Sequence, residues 1–498
     1  MMIGRVASLI LFSWMFWGSS MAQNSQPNVL FIAIDDLRDY VGYAKTFSKV
    51  RTPNIDRLSK MGVSFTNAYC QAPMCAASRN SLLTGIYPFN SGAYGFQKRK
   101  EMPALDVITL PEHFKNNGYY VVGTGKIHHG SDYDGHGCSP EEWDEYWPSV
   151  SSPRDGSHGK PIESEFKQPW GHFKFGPTDS GDEAEGDHRH GEWAVNRLKK
   201  GFNQPFFMAV GFFRPHLPWF VPEKYFEQFP VDGLSPVIKK ENDLNDVPAA
   251  AEFFGHFMHV GRYAYDVEIT QKEWHQEALQ AYLASVAFTD KQVGKVLDAL
   301  ENSPYANNTI IVLWTDHGFH LGEKQTWSKF TLWRESARVP LIISAPGMSK
   351  NSICKQPVQL IDLYPTLNTL CSLPLAGHEE GNNIKPLLRN PKANWKHPAI
   401  TVAGKNNYAI STDKWRYISY FNGDEELYQI EEDPHEWNNL APNPKYGKVV
   451  QKLRKYIPTG GVDNYPGSTL PVYYDRNTWD IEQITKRSIQ QYQQRKQK

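Results

Sequence analysis

Cys75 precedes Arg79 by four residues in the run Pro73-Met74-Cys75-Ala76-Ala77-Ser78-Arg79-Asn80-Ser81-Leu82-Leu83-Thr84-Gly85, whose end is apolar and helical in pattern. A cysteine near a helix start is most simply a buried small hydrophobe, so any chemistry at Cys75 depends on what else the chain supplies. Asp35 and Asp36 end an apolar run, and Asp316 ends a second one. Adjacent carboxylates repel unless a cation or protons intervene, which makes these three aspartates candidate hard-metal ligands; oxygen donors favour Ca²⁺ or Mg²⁺ over zinc. Paired aspartates also serve as turn and helix caps.

Two lysines and several histidines complete the inventory. Gly123-Thr124-Gly125-Lys126-Ile127-His128-His129-Gly130 matches neither common glycine-rich phosphate motif. It does suit a cationic cradle for a tetrahedral anion, since lysine supplies a point charge and histidine a donor. Phe213-Arg214-Pro215-His216-Leu217-Pro218-Trp219 holds His216 between prolines, a stiff setting for a proton donor. Asp316-His317-Gly318 leads to Trp327-Ser328-Lys329-Phe330. Taken singly, these are also a charged turn, a structural histidine and a solvated lysine.

The elements that must position these groups read as α/β. Asn28 to Ile34 and Asn308 to Trp314 are continuous apolar, β-branched runs, the pattern of strands buried on both faces of a parallel sheet. Each is followed by acids at its C-terminal tip, the edge where open α/β sheets bind ligands. Further strands are expected at 119–122, 206–211 and 339–344, with helices at 54–60, 110–116 and 277–300. This alternation predicts a large, mostly parallel central sheet flanked by helices. The segment 132–192, rich in Gly, Pro, Asp, His and Trp, reads as long surface insertions of the kind that set specificity. Its His172, His188, Arg189 and His190 are candidates for reading the polar groups of a ligand. After residue 375 the pattern changes to short aromatic strands at 408–410, 415–418 and 426–428 and a helix near 448–456, which predicts a small C-terminal antiparallel sheet subdomain.

The chain as a whole sets bounds. Its 498 residues can bury a large core, and 40% are hydrophobic. Lys+Arg 53 against Asp+Glu 54 gives no global attraction to nucleic acid, so an anionic partner has to be held locally. Arg5, the apolar stretch 7–17 and Ser20-Met21-Ala22 form the pattern of a signal peptide over 1–22, and its apolar run is short for a bilayer span. The expected layout is a signal peptide (1–22), a catalytic domain (23–375), a C-terminal subdomain (376–480) and a flexible tail (481–498), the mature chain being exported, periplasmic or secreted, without a membrane span. With Cys75 set aside, Cys70, Cys138, Cys354 and Cys371 remain; a Cys354–Cys371 bridge and four separate buried thiols are both open.

In order and spacing these pieces resemble the type I sulfatases, the formylglycine-dependent branch of the alkaline phosphatase superfamily. The resemblance runs from Asn28 to about Asn439 and includes Thr52-Pro53-Asn54-Ile55-Asp56-Arg57-Leu58, Glu426-Leu427-Tyr428, Asp433-Pro434 and Asn439-Leu440. Arg214-Pro215-His216, Tyr282-Leu283-Ala284-Ser285-Val286 and the stretch from His317 to Trp333 look most like the iduronate-2-sulfatase-like branch.

The resemblance implies a sulfuric ester hydrolase acting on a sulfated polysaccharide or oligosaccharide: a glycosaminoglycan, or an algal polymer such as ulvan or carrageenan. Cys75 would be converted to formylglycine (3-oxoalanine) by a maturation enzyme, with one Ca²⁺ held by Asp35, Asp36, Asp316, His317 and the modified Cys75. Arg79 would hold the formylglycine hydroxyl, while Lys126, His216 and Lys329 would surround the sulfate and its bridging oxygen. The histidine that accompanies Lys126 falls two residues on in the wider family (His128) and three on in the iduronate branch (His129); His128 is preferred because no insertion separates it from Lys126. Two positions depart from the wider pattern, His317 where asparagine is frequent and Ala77 where proline is commonest. Competing readings keep the fold as a phosphonate or phosphodiester hydrolase, or as a silent glycan-binding relic.

Overall fold

The computed structural model describes residues 26–96, 99, 102–129, 139–148, 160–161, 173–235, 237–256, 266, 269–270 and 272–463. The expected signal peptide, the tail, Cys138 and His172 lie outside the described residues.

Strand β1 (Asn28–Ile34) sits near the middle of the large sheet with every residue buried. Its alternate side chains serve two cores: Leu30, Ile32 and Ile34 face one apolar cluster, while Val29, Phe31 and Ala33 face another. A strand that buries both faces has to be apolar throughout, which is why this run lacks the polar alternation of a surface strand.

The sheet's other strands are β2 (Val63–Tyr69), β3 (Tyr120–Gly125), β4 (Glu145–Trp147), β5 (Phe206–Phe212), β6 (Thr309–Thr315), β7 (Arg338–Ser344), β8 (Ser352–Cys354) and β9 (Val358–Gln359). Their order is β8-β2-β7-β6-β1-β5-β3-β4, with β9 also on β2. Pairings of β1 with β5 and β6, and of β3 with β4 and β5, are parallel; β7 runs antiparallel to β2 and β6.

Helices cover both faces: α1 (Pro53–Met61), α2 (Cys75–Thr84), α3 (Leu110–Asn116), α4 (Gly186–Lys200), α5 (His275–Glu301) and α6 (Leu363–Leu370). The start of α3 is fixed by a capping box in which Thr109 and Glu112 satisfy each other's backbone N–H groups. The long α5 buries Leu279, Leu283, Val286, Val293, Val296, Leu297 and Leu300, the stripe that its sequence periodicity predicts. A separate antiparallel sheet follows, β10 (Ala399–Val402), β11 (Tyr408–Ser411), β12 (Trp415–Ser419) and β13 (Glu425–Gln429), backed by α7 (Gly447–Arg454).

The mixed α/β architecture, with its large mostly parallel sheet and small C-terminal antiparallel sheet, is the expected one. Three local readings differ. Strands β2 and β10 were not among the expected strands. Segment 132–192 is not all surface insertion, because Glu142, Trp143, Phe173, Asp187 and His190 are buried and α4 begins at Gly186. Cys354 and Cys371 are separate free, buried thiols, as is Cys70.

Asp290 on α5 secures the first turn of α1. It accepts the backbone N–H of Asn54 (3.1 Å) and Ile55 (2.8 Å) and the Asn54 side-chain amide (2.8 Å). These N–H groups have no partner within their own helix. Asp290→Ala is therefore expected to cost about 2–3 kcal/mol, read as a lower urea midpoint with an unchanged slope.

Candidate active site

Register brings the sequence-predicted groups together. Ile34 of β1 lies opposite Phe212 of β5 and Thr315 of β6, so Asp35, Phe213 and Asp316 leave the sheet at one level. Gly125 of β3 lies opposite Gly211 of β5, which delivers Lys126 to the same edge. A Cβ on Gly211 would meet the Lys126 carbonyl carbon and oxygen at 2.3 Å, and Gly125 has a φ of 77°. The close crossing and the left-handed turn both require glycine.

Cys75 is the first residue of α2 and points into this edge. Its Sγ lies 3.1 Å from Lys329 Nζ and 3.2 Å from His317 Nε2. Arg79, one turn further along α2 and fully buried, ties three strand tips together. Its Nε donates to Asp316 Oδ2 at 2.9 Å, its Nη1 donates to the carbonyls of Lys126 (2.6 Å) and Ile127 (3.0 Å), and its Nη2 lies 3.6 Å from Asp35. Lys126 donates to Asp35, and Lys329 donates to Asp36.

Two groups of side chains here could hold a metal ion. Ligand atoms of Asp35, Cys75, Asp316 and His317 all lie within 4.8 Å of one another, as do those of Asp35, Asp36, Cys75 and His216. Asp35 Oδ1 is buried and accepts no hydrogen bond among the described residues. His317 Nδ1 lies 3.0 Å from the Gly318 carbonyl, an arrangement that puts the ring proton on Nδ1 and leaves the Nε2 lone pair facing the carboxylates.

Electrostatics follow from burial and from these pairs. Burial opposes ionisation of Asp35, yet Lys126, His216, Arg79 and Lys329 hold its carboxyl well below the usual range. Asp36 is shifted upward, by burial and by the charges of Asp35 and Asp316, against the pull of Lys329. Burial keeps His216 and His317 below the ordinary imidazole value. His216 Nδ1 lies 2.6 Å from the Leu217 carbonyl.

The two adjacent histidines separate. His128 Nε2 lies 2.9 Å from Glu142 Oε2, a carboxylate that also accepts from Thr109 Oγ1 and Trp143 Nε1. The His128 ring is thus engaged in a buried pair with Glu142. His129 instead senses the cluster, lowered to about 3 by burial together with Lys126, Arg79 and His216 against Asp35, and its ring lies 5.2 Å from Phe96.

Three of the candidate sugar-reading residues of segment 132–192 lie on α4. His190 is buried with its Nδ1 2.9 Å from Thr124 Oγ1, His188 lies 2.9 Å from Lys295 Nζ, and Arg189 donates to the Ala184 carbonyl.

Two supporting residues escaped sequence reasoning. Glu142 is one. Asp187 is the other: its carboxylate accepts the backbone N–H of Phe213 (2.8 Å) and Arg214 (2.7 Å) and so fixes the loop that presents His216. Neither has a local signal, because each acts on a segment far along the chain.

Comparison with known proteins agrees with this geometry. The Sulfatase family profile matches residues 27–372, and the profile of the N-sulphoglucosamine sulphohydrolase C-terminal region matches 322–460. A sulfatase of Formosa agariphila is 38% identical over 453 residues, covering 87% of this chain and 86% of that protein. Human iduronate 2-sulfatase is 28% identical over 535 residues, covering 88% and 95%. Among solved structures, the phosphonate monoester hydrolase of Agrobacterium radiobacter shares the fold at a TM-score of 0.68 with 21% identity, covering 86% of this chain and 94% of that one. The chain belongs to the sulfatase family, enzymes that hydrolyse sulfate esters.

Substituting the two histidines separately tests their roles. His129→Ala is expected to keep the fold and lower sulfatase turnover by about 10²-fold or more. His128→Ala removes the partner 2.9 Å from the buried Glu142 carboxylate and is expected to cost about 3 kcal/mol of stability. Turnover and urea midpoints of the two variants check both outcomes.

The same pair shapes the acid limb. Burial would raise Glu142, but His128 and Arg99 hold it down to about 2, below its ordinary 4.5. A depressed carboxyl contributes stability in full above the unfolded value and loses it as pH falls toward the folded one. Glu142→Gln should therefore flatten the fall in unfolding free energy between about pH 4.5 and 2, measured by urea titration at several pH values.

Proposed function

We propose that this chain is an exported sulfatase that removes sulfate from a sulfated polysaccharide or oligosaccharide, using a formylglycine made from Cys75 and one bound Ca²⁺. The observation that carries this reading is the setting of Cys75 Sγ, 3.1 Å from Lys329 Nζ and 3.2 Å from His317 Nε2, within a ring of buried carboxylates and cations. Asp35, Asp36, Asp316 and His317, with residue 75, would hold the ion, whose charge would steady negative oxygens at the site. Oxidation of Cys75 would supply a hydrated aldehyde, with one hydroxyl to bond sulfur and a second to restore the carbonyl afterwards.

The remaining roles belong to side chains already positioned. Arg79, anchored on Asp316, orients residue 75. Lys126 and Lys329 bring ammonium donors toward the sulfuryl oxygens, where negative charge grows as the ester bond breaks. His216, with Nδ1 toward the Leu217 carbonyl, keeps Nε2 for the departing sugar oxygen, and Lys329 is the second proton donor there. His129 is held neutral and serves as the base for the hydroxyl left on residue 75.

Similarity to iduronate 2-sulfatase supports a sulfated uronate in a glycosaminoglycan as the first substrate to try. The signal pattern over 1–22 supports export, and no helix among the described residues is long and apolar enough to cross a membrane. A formylglycine-generating enzyme is the implied partner in maturation.

The test is peptide mass spectrometry across residue 75, on protein from its host or co-expressed with a maturation enzyme. It is paired with sulfate release from glycosaminoglycan fragments, ulvan and carrageenan oligosaccharides, and with phosphate release from phosphonate and phosphodiester controls. We expect an aldehyde at residue 75, sulfate release that exceeds the controls, and a loss of about 10⁴-fold or more in Cys75→Ala. An intact thiol, or faster release from the phosphorus controls, contradicts the reading.

A further inference from the structure

Lys329 sits in the most strained stretch of the described backbone. Within seven residues, Lys324, Gln325, Ser328 and Phe330 have φ of 53°, 53°, 93° and 87°, so Lys329 is flanked directly by two non-glycine residues in left-handed conformations. Such backbone persists only where its surroundings over-determine it.

Those surroundings come largely from residues distant in sequence. Lys324 Nζ donates to Asp243 Oδ1 at 2.9 Å and to the Glu436 carbonyl. Arg334 N donates to Glu436 Oε2 at 2.7 Å, and Trp333 Nε1 donates to Glu426 Oε2 at 3.1 Å. Arg416 on β12 donates to the Leu332 carbonyl and pairs with Glu436 Oε1 at 2.8 Å. Phe330 is buried in the apolar cluster that joins Met74, beside the nucleophile, to Val402, Ala409 and Ile418 of the C-terminal sheet. Every one of these anchors lies outside the ring around Cys75, and their shared product is the direction in which the Lys329 ammonium points.

We propose that Lys324, with Glu426 and Arg416 of the C-terminal sheet and Glu436 of the loop after it, is a positioning device for Lys329: it holds the strained loop so that the ammonium reaches Asp36 and residue 75. The inference rests on the sulfatase reading for the task that Lys329 performs. It assigns the C-terminal sheet a part in turnover without direct contact with substrate.

The test is a double-mutant cycle of Lys324→Met and Lys329→Ala in the matured enzyme, assayed with 4-nitrophenyl sulfate. Lys324→Met should lower kcat by about tenfold with KM changed by less than about threefold. In the Lys329→Ala background it should change kcat by less than about twofold, because a residue acting through Lys329 has nothing left to act on. Equal losses in both backgrounds would overturn the proposal, since that is the signature of a general structural defect. Trp333→Phe, which removes the indole donor to Glu426 and keeps an aromatic ring in the cluster, carries the same cycle if Lys324→Met does not fold.

A second readout is independent of sulfate chemistry. Acylation of Lys329 by an amine reagent, followed by peptide mass spectrometry, should be about tenfold faster in Lys324→Met, as the freed ammonium leaves its buried pair. Unchanged labelling contradicts the positioning role even if sulfate is released. Absence of sulfate release from the unaltered protein, together with faster labelling in the variant, removes the sulfatase reading and leaves the clamp standing.

Discussion

Three carboxylates cannot be buried together as anions without compensation, and the site is organised around that constraint. Parallel pairing of β1 with β6 places Asp35, Asp36 and Asp316 at one edge, fully enclosed by protein. The desolvation penalty for each buried charge is several kcal/mol. Cations therefore have to arrive from other elements: Arg79 from α2, Lys126 from the tip of β3, and Lys329 from the loop after β6. Each also touches or flanks Cys75 or its helix, so the groups that make the carboxylates tolerable are the groups available for catalysis. Asp35 Oδ1 accepts no hydrogen bond among the described residues, and Arg79 Nη2 lies 3.6 Å from it.

A second shell of charge keeps the first in place. His128 and Glu142 lock the chain beyond Lys126, and Asp187 grips the backbone that presents His216. Glu426, Glu436 and Arg416 brace the segment that carries Lys329. These pairs are buried, so they are screened little by salt, and removing one partner strands the other in a low-dielectric setting. The C-terminal sheet is thereby tied to the segment that follows Lys329.

Much of this was legible in the sequence because the strongest signals are local. The apolar runs ending in Asp35-Asp36 and Asp316, and the helical stripe of α5, follow from burial on both faces and from a single buried face. What escaped depended on distant partners. Strand β2, Val-Ser-Phe-Thr-Asn-Ala-Tyr, is half polar in composition, and only its pairings with β7, β8 and β9 make it a sheet strand. Helix α4 opens with Gly-Asp-His-Arg-His-Gly, a poor helix-former's composition rescued by packing on α5. His128 and His129 are chemically identical neighbours, and the pairing of His128 with Glu142 depends on the fold. The thiols Cys354 and Cys371 could not be assigned by spacing, since pairing requires geometry that the fold does not provide.

Calorimetric titration of Ca²⁺ into metal-stripped protein, run beside Asp316→Asn, tests most directly whether the buried carboxylates form a cation site. The account predicts one ion bound per chain and binding weakened by at least about 100-fold in the variant. An absence of Ca²⁺ binding to the unaltered protein, or equal affinity in both, would contradict it.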